Sequence, residues 1–182
     1  MSLSAVEERY RSLWDELAGL GVFNEHPVKV DRAAVASIHE ESRRFVEETR
    51  FEAPGALQIH GIASRLLGKW AEAEKSFRKF TELLPDRTDG WLELTWALGE
   101  LNRLEDAEQS ARVAVEMEPD GAETLGNLAA VLLQRGKIAK AYEVMQRALK
   151  ADPKNVRNRM NMDVIESKHP WAIPWWNRLF GH

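Results

Sequence analysis

The chain has no cysteine among its 182 residues. Disulfides, thiolate metal sites and cysteine nucleophiles are therefore outside its chemistry. That suits a cytoplasmic protein and leaves the periplasm open. No apolar run approaches the roughly 18 residues needed to cross a bilayer. The first residues lack the charged-then-apolar layout of a secretory signal. Basic excess is missing as well. Lys and Arg number 25 against 29 Asp and Glu, for a net charge of −4. A nucleic-acid binder needs a basic face, so that class is disfavoured. Catalytic signatures are absent: there is no HExxH, no GxSxG and no Gly-rich phosphate loop. The histidines are His26, His39, His60, His169 and His182, and no two stand four apart on one helix. His39-Glu40-Glu41 reads as part of a charged helix face, because helical neighbours point about 100° apart. The chain is thus expected to be no enzyme and to need no metal or cofactor.

What is present is a repeat. Pro85, Pro119 and Pro153 are spaced by 34 residues. Aligned on them, Ala73, Ala107 and Ala141 share a column, as do Gly68, Asn102 and Gly136. Gly61, Thr95 and Ala129 form a third column, and Leu57, Trp91 and Leu125 a fourth. Proline cannot continue a helix, so each proline marks a finished one. Gly and Asn tolerate a left-handed backbone, so their column predicts the end of a first helix. The alanines let two helices cross closely. Apolar residues at helical spacing occupy both arms, as in Leu125, Leu128, Leu132 and then Ile138, Ala141, Met145, Ala148. Each unit reads as a helix, a tight turn and an antiparallel helix.

These columns resemble the tetratricopeptide repeat family over residues 54–153, as three units at 54–87, 88–121 and 122–155. Trp91 matches the family tryptophan, and Gly61 and Phe77 match its glycine and phenylalanine. His60 departs from the family leucine, and Phe80 replaces the usual late alanine. The resemblance implies an all-α fold, a right-handed superhelical stack of antiparallel helix pairs. It also implies a concave groove lined by the first helix of each repeat. Carried over by position, repeat one offers Gln58, Ile59, Ile62 and Arg65. Repeat two offers Asp89, Leu92, Glu93 and Trp96, and repeat three Glu123, Asn127, Ala130 and Gln134.

One branch of the family clamps a C-terminal carboxylate with Lys, Asn and Arg side chains. The matching positions here are Gln58, Ile62, Glu93, Glu123 and Asn127, and Asn127 is the one donor this reading counts. Two glutamates would repel a carboxylate, so a clamp for acidic chaperone tails is not expected. The groove is expected to carry an apolar patch of Ile59, Ile62, Leu92 and Trp96 rimmed by Asp89, Glu93 and Glu123. It would hold a peptide or amphipathic helix of another protein, or be covered by the chain itself.

The flanks fall outside the 34-residue frame. Residues 154–168 predict a capping helix with Val156, Met160 and Val164 on its apolar side and a polar remainder. Residues 1–50 predict two helices. The first begins near Ser4, with Glu7 completing a capping box, and carries a stripe of Leu3, Val6, Tyr10, Leu13, Leu17 and Leu20. That stripe is either a cap on repeat one or a dimer seam, so the chain is a monomer or a homodimer. Asp31 is placed to cap the second helix, which runs to about Thr49. Seven tryptophans stand out, three of them in the last twelve residues. The tail around Trp175, Trp176, Leu179 and Phe180 has three readings. It folds back on the last repeat, docks in a groove, or touches a membrane surface. The leading functional expectation is an interaction adaptor without catalysis. The alternatives are a bacterial chaperone resembling those of type III secretion translocators, and a regulatory subunit or domain of an enzyme.

Overall fold

The structure is a computed structural model and describes residues 3–21 and 30–172, with side chains from residue 5 onward. Among the described residues there are only helices and turns. The chain divides into two compact units, Met1–Gly90 and Trp91–His182.

Unit 1 holds α1 (Leu3–Gly19), α2 (Arg32–Glu48), α3 (Pro54–Leu66) and α4 (Trp70–Leu83). Asp31 caps α2 by accepting from the amides of Ala33 and Ala34 at 2.9 and 3.3 Å, which satisfies donors no helical carbonyl can reach. Pro54 opens α3, where its missing N–H costs nothing. Gly68 then takes φ +76°, the left-handed turn that reverses the chain into α4. The helices α3 and α4 lie side by side because Gly61 has no side chain. A Cβ there would come within 2.7 Å of the Phe77 ring.

The α1 helix packs on α2 and α3. Its Leu13 and Leu17 are buried, and the Tyr10 ring covers Gly55. Within unit 1 these two leucines of the stripe face other helices of the same chain. A dimer seam using Leu13 and Leu17 would require α1 to leave unit 1. Arg9 reinforces the contact by lying over the Phe45 ring at 4.9 Å and pairing with Glu48 at 2.5 Å. The side chain of Leu3 lies outside the described residues.

Unit 2 takes most of α5 (Thr88–Glu100), then α6 (Leu104–Met117), α7 (Ala122–Gln134), α8 (Ile138–Ala151) and α9 (Val156–Lys168), with a 3-10 turn over Pro170–Ala172. The turns after α5 and α7 repeat the device of unit 1, with Asn102 at φ 57° and Gly136 at φ 72°. Pro85, Pro119 and Pro153 each follow the end of a second helix by two residues. The core is mainly aliphatic, with one aromatic ring: Leu125, Leu128, Leu132, Ile138, Tyr142 and Met145 pack with Met162 and Ile165 of α9. Asn155 caps α9 through the Asn158 amide. Asn158 in turn gives its own side-chain N–H to the Ala122 carbonyl at 2.9 Å, which ties the last helix to α7. Three apolar residues of α9, Val156, Met160 and Val164, stay exposed.

Unit 2 also buries a carboxylate. Glu108 is 1% exposed and meets Arg112, Arg135 and Lys137, the last at 2.8 Å. Burial pushes its carboxyl up, but hydrogen bonds from Lys137 and Arg135 and the charge of Arg112 outweigh it, so the group lies below the usual range. Three cations around one buried anion is the compensation such burial demands.

Candidate partner-binding surface

The first helices of the last two repeats, α5 and α7, and the helix α9 bring side chains to one cavity of unit 2. It has a volume of about 200 Å³ and is lined by Trp96 and Glu100 from α5, Asn127 and Gln134 from α7, and Arg157 and Asn161 from α9, among others. Helical spacing explains the set. Trp96 and Glu100 are four apart, Arg157 and Asn161 are four apart, and Asn127 and Gln134 are seven apart, so each pair shares one side of its helix. Trp96 is 39% exposed, unusual for so large an apolar side chain. The Arg157 guanidinium lies 5.5 Å from its ring centre, a cation–π contact. Arg157 also reaches Glu123 at 3.3 Å. The surface thus offers an aromatic face, amide donors and acceptors, and both signs of charge.

Ala130, also expected at the groove, lines the same cavity, whereas the remaining expected residues are not among those that line it. Ile59 and Ile62 are 0% and 3% exposed. They are core residues and cannot line a groove, which corrects the sequence expectation. The reason is that α3 packs against α1, α2 and α4, so more of its surface is covered than one stripe. Gln58 is half-buried and gives its Nε2–H to Asp89 at 2.9 Å. It is a donor after all, and that donor is already engaged. Leu92 and Glu93 are half-buried, and Glu123 is exposed. Val6 and Tyr10 border a second, more apolar cavity of about 510 Å³ in unit 1, shared with Phe45, Pro54, Phe80 and Leu84. Trp175 and Leu179 lie outside the described residues. Arg157 is a lining residue that the sequence pattern does not reveal. It belongs to the polar remainder of its helix, and a residue 61 positions from Trp96 gives no local sign that it will cover it.

A third polar group joins α2, α3 and α4 in unit 1. His39, His60 and Glu72 bring their ligand atoms within 4.8 Å of one another. Burial, with His39 alongside, pushes the His60 imidazole down to about 4. Burial would raise Glu72, but Lys69 and His39 more than offset it and hold the carboxyl low.

A model of the tetratricopeptide repeat matches residues 61–122 and 92–156, together just over half of the chain. A curated relative, the tetratricopeptide repeat-containing protein trd-1 of Caenorhabditis elegans, is 29% identical over 114 residues. That match takes in 61% of this chain but only 15% of the relative's length. Among solved structures, MamA from residue 41 to its end, of Desulfovibrio magneticus RS-1, superposes with a TM-score of 0.71 at 18% identity, covering 92% of this chain and 89% of that one. YrrB, described as a tetratricopeptide protein with an unusual peptide-binding site, gives 0.61 at 18% identity over 75% and 70%. The first such domain of Spaghetti (RPAP3), bound to the HSP90 peptide SRMEEVD, gives 0.59 at 19% identity over 63% and 91%. At these identities the structures speak for the fold alone. With the family model covering its repeats, the chain belongs to the tetratricopeptide repeat family.

Proposed function

We propose that this chain is a protein-interaction module that captures a peptide or amphipathic helix of a partner protein on the inner surface of unit 2, without catalysis. The observation that carries this reading is Trp96, an exposed aromatic beside a cavity edged by amides and Arg157. Buried aromatic anchors dominate binding energy in such surfaces. Similarity to folds that hold peptides, one of them with an HSP90 peptide in place, supports the class of ligand. It does not extend to that peptide's chemistry. Glu93 and Glu123 stand at clamp positions, so an acidic tail meets like charge there. An apolar segment with basic flanks suits the surface better, its apolar side on Trp96 and its cations toward Glu100 and Glu123. A translocator-type chaperone or a regulatory subunit would be finer versions of the same capture. No helix among the described residues is long and apolar enough to cross a membrane.

Selection from a displayed peptide library against the full chain supplies the probe. The selected peptide is then titrated against wild type and Trp96→Ala. The variant is expected to bind about fivefold more weakly or worse, at least 1 kcal/mol, with unchanged far-UV circular dichroism. Peptides that bind both proteins equally would remove Trp96 from the site.

A further inference from the structure

His60 occupies a column that holds Leu94 in repeat two and Leu128 in repeat three, both core residues. Replacing a core leucine by histidine sacrifices apolar burial and introduces two polar nitrogens. One is satisfied, since Nδ1 lies 2.8 Å from the Ser76 hydroxyl. The other, Nε2, is buried and has no hydrogen-bond partner, although it lies 3.7 Å from the Glu72 carboxylate. An orphaned buried nitrogen is destabilising, because it has given up water without gaining a partner. Beside it stands a second buried histidine, His39, its ring centre 4.8 Å away and its Nε2 3.0 Å from the same Glu72 oxygen. A His39–Glu72 hydrogen bond explains one imidazole and leaves the other unexplained.

We infer that unit 1 holds a divalent transition-metal ion, zinc first among them, on His39 Nε2, His60 Nε2 and one oxygen of Glu72. The donor set is two imidazoles and a carboxylate, which suits zinc. Tetrahedral zinc with bonds of about 2.0–2.2 Å sets its ligand atoms roughly 3.3–3.6 Å apart. The two nitrogen-to-oxygen separations, 3.0 and 3.7 Å, bracket that value, and the two ring nitrogens, within 4.8 Å of each other, would be drawn together by the ion. The supporting shell is present as well. The Ser76 contact at Nδ1 holds the His60 ring so that Nε2 faces the cluster, the outer support a ligating histidine needs. Lys69 takes the other Glu72 oxygen at 3.3 Å, leaving Oε2 for the ion. The Glu72 side chain is 43% exposed while those of His39 and His60 are 4% and 9% exposed. The ion would therefore enter from the Glu72 side, and its fourth position would open toward water. Because the ligands come from α2, α3 and α4, the ion would pin the N-terminal helix pair to the first repeat.

The full chain, stripped with EDTA and freed of chelator, is titrated with zinc by calorimetry and melted with and without the metal. Wild type is expected to take up roughly one equivalent at micromolar or lower concentration and to melt higher with zinc. Glu72→Gln and His39→Asn should each bind about tenfold more weakly or worse. His60→Leu restores the residue type of its column, so it should fold at least as well while losing the zinc-dependent rise in melting temperature. His169→Gln, outside the cluster, should behave as wild type. Failure of wild type to bind, or wild-type affinity in any one of the three ligand variants, overturns the assignment. None of these readouts depends on the Trp96 surface of unit 2.

Discussion

In unit 1 the second helix of the repeat carries Phe77 and Phe80, whereas the same columns hold Ala111 and Ala114 on α6 and Met145 and Ala148 on α8 in unit 2. The facing column changes in the opposite sense. Gly61 sits under the Phe77 ring, while Thr95 and Ala129 hold that place in the later repeats. A large side chain on one helix is met by a missing one on the other, so the packed volume is held while the partners change. The two units also differ in what charge they bury. Unit 1 keeps His39 and His60 inside, with His60 held neutral. Unit 2 keeps Glu108 inside, ionised and gripped by three cations. One 34-residue frame therefore tolerates two solutions for volume and two for buried polarity, provided each is locally compensated.

The volume half of that comparison is the easiest to break. Phe77→Ala empties the space over Gly61, which has no side chain to fill it. A loss of about 3–5 kcal/mol is expected, read by urea unfolding, with faster hydrogen exchange confined to α3 and α4. A smaller loss would mean that the two helices collapse onto the gap.

Glu108→Gln tests the charge half in unit 2. It keeps the shape but leaves Arg135 and Lys137 facing a neutral amide. Hydrogen bonds to charged groups contribute about 1.5–3 kcal/mol, and a destabilisation in that range is expected at neutral pH, falling with added salt. An unchanged unfolding midpoint would show that the charge of Glu108 adds little net stability.

The corresponding lever in unit 1 is pH. The His60 imidazole lies near 4 when folded, against an ordinary value near 6.5. A depressed histidine binds its proton more readily in the unfolded chain. Its contribution is therefore complete above about pH 6.5 and is lost as pH falls toward 4. From pH 7 to pH 5 the metal-free protein should lose about 2 kcal/mol. His60→Leu should remove most of that dependence. A variant that loses as much stability as wild type over the same range would place the proton uptake on another group.

Much of the fold was legible without coordinates. The 34-residue period, the left-handed turn column at Gly68, Asn102 and Gly136, and the Asp31 cap are all local statements, and local chemistry reads them. The candidate site was legible in part. Trp96 and Asn127 were carried over from the family's groove positions, and both line the cavity of unit 2. Ile59 and Ile62 did not survive, because periodicity reports which residues share a side of a helix and not how many neighbours cover it. Arg157 over Trp96, and His39 with His60 and Glu72, were invisible for a related reason. Their members come from different helices, and the search for ligands at i, i+4 on one helix cannot find a cluster built across three.

The amino-acid sequence by itself determined the repeat, the helices and their turns, because proline, glycine and apolar spacing act through bonds and contacts a few residues long. Only the tertiary structure decided which faces stay open and which polar groups meet. Burial of Ile59, exposure of Trp96 and convergence of two histidines on one carboxylate depend on how each helix is rotated against its neighbours, and that rotation is set by packing across distances the linear pattern does not record.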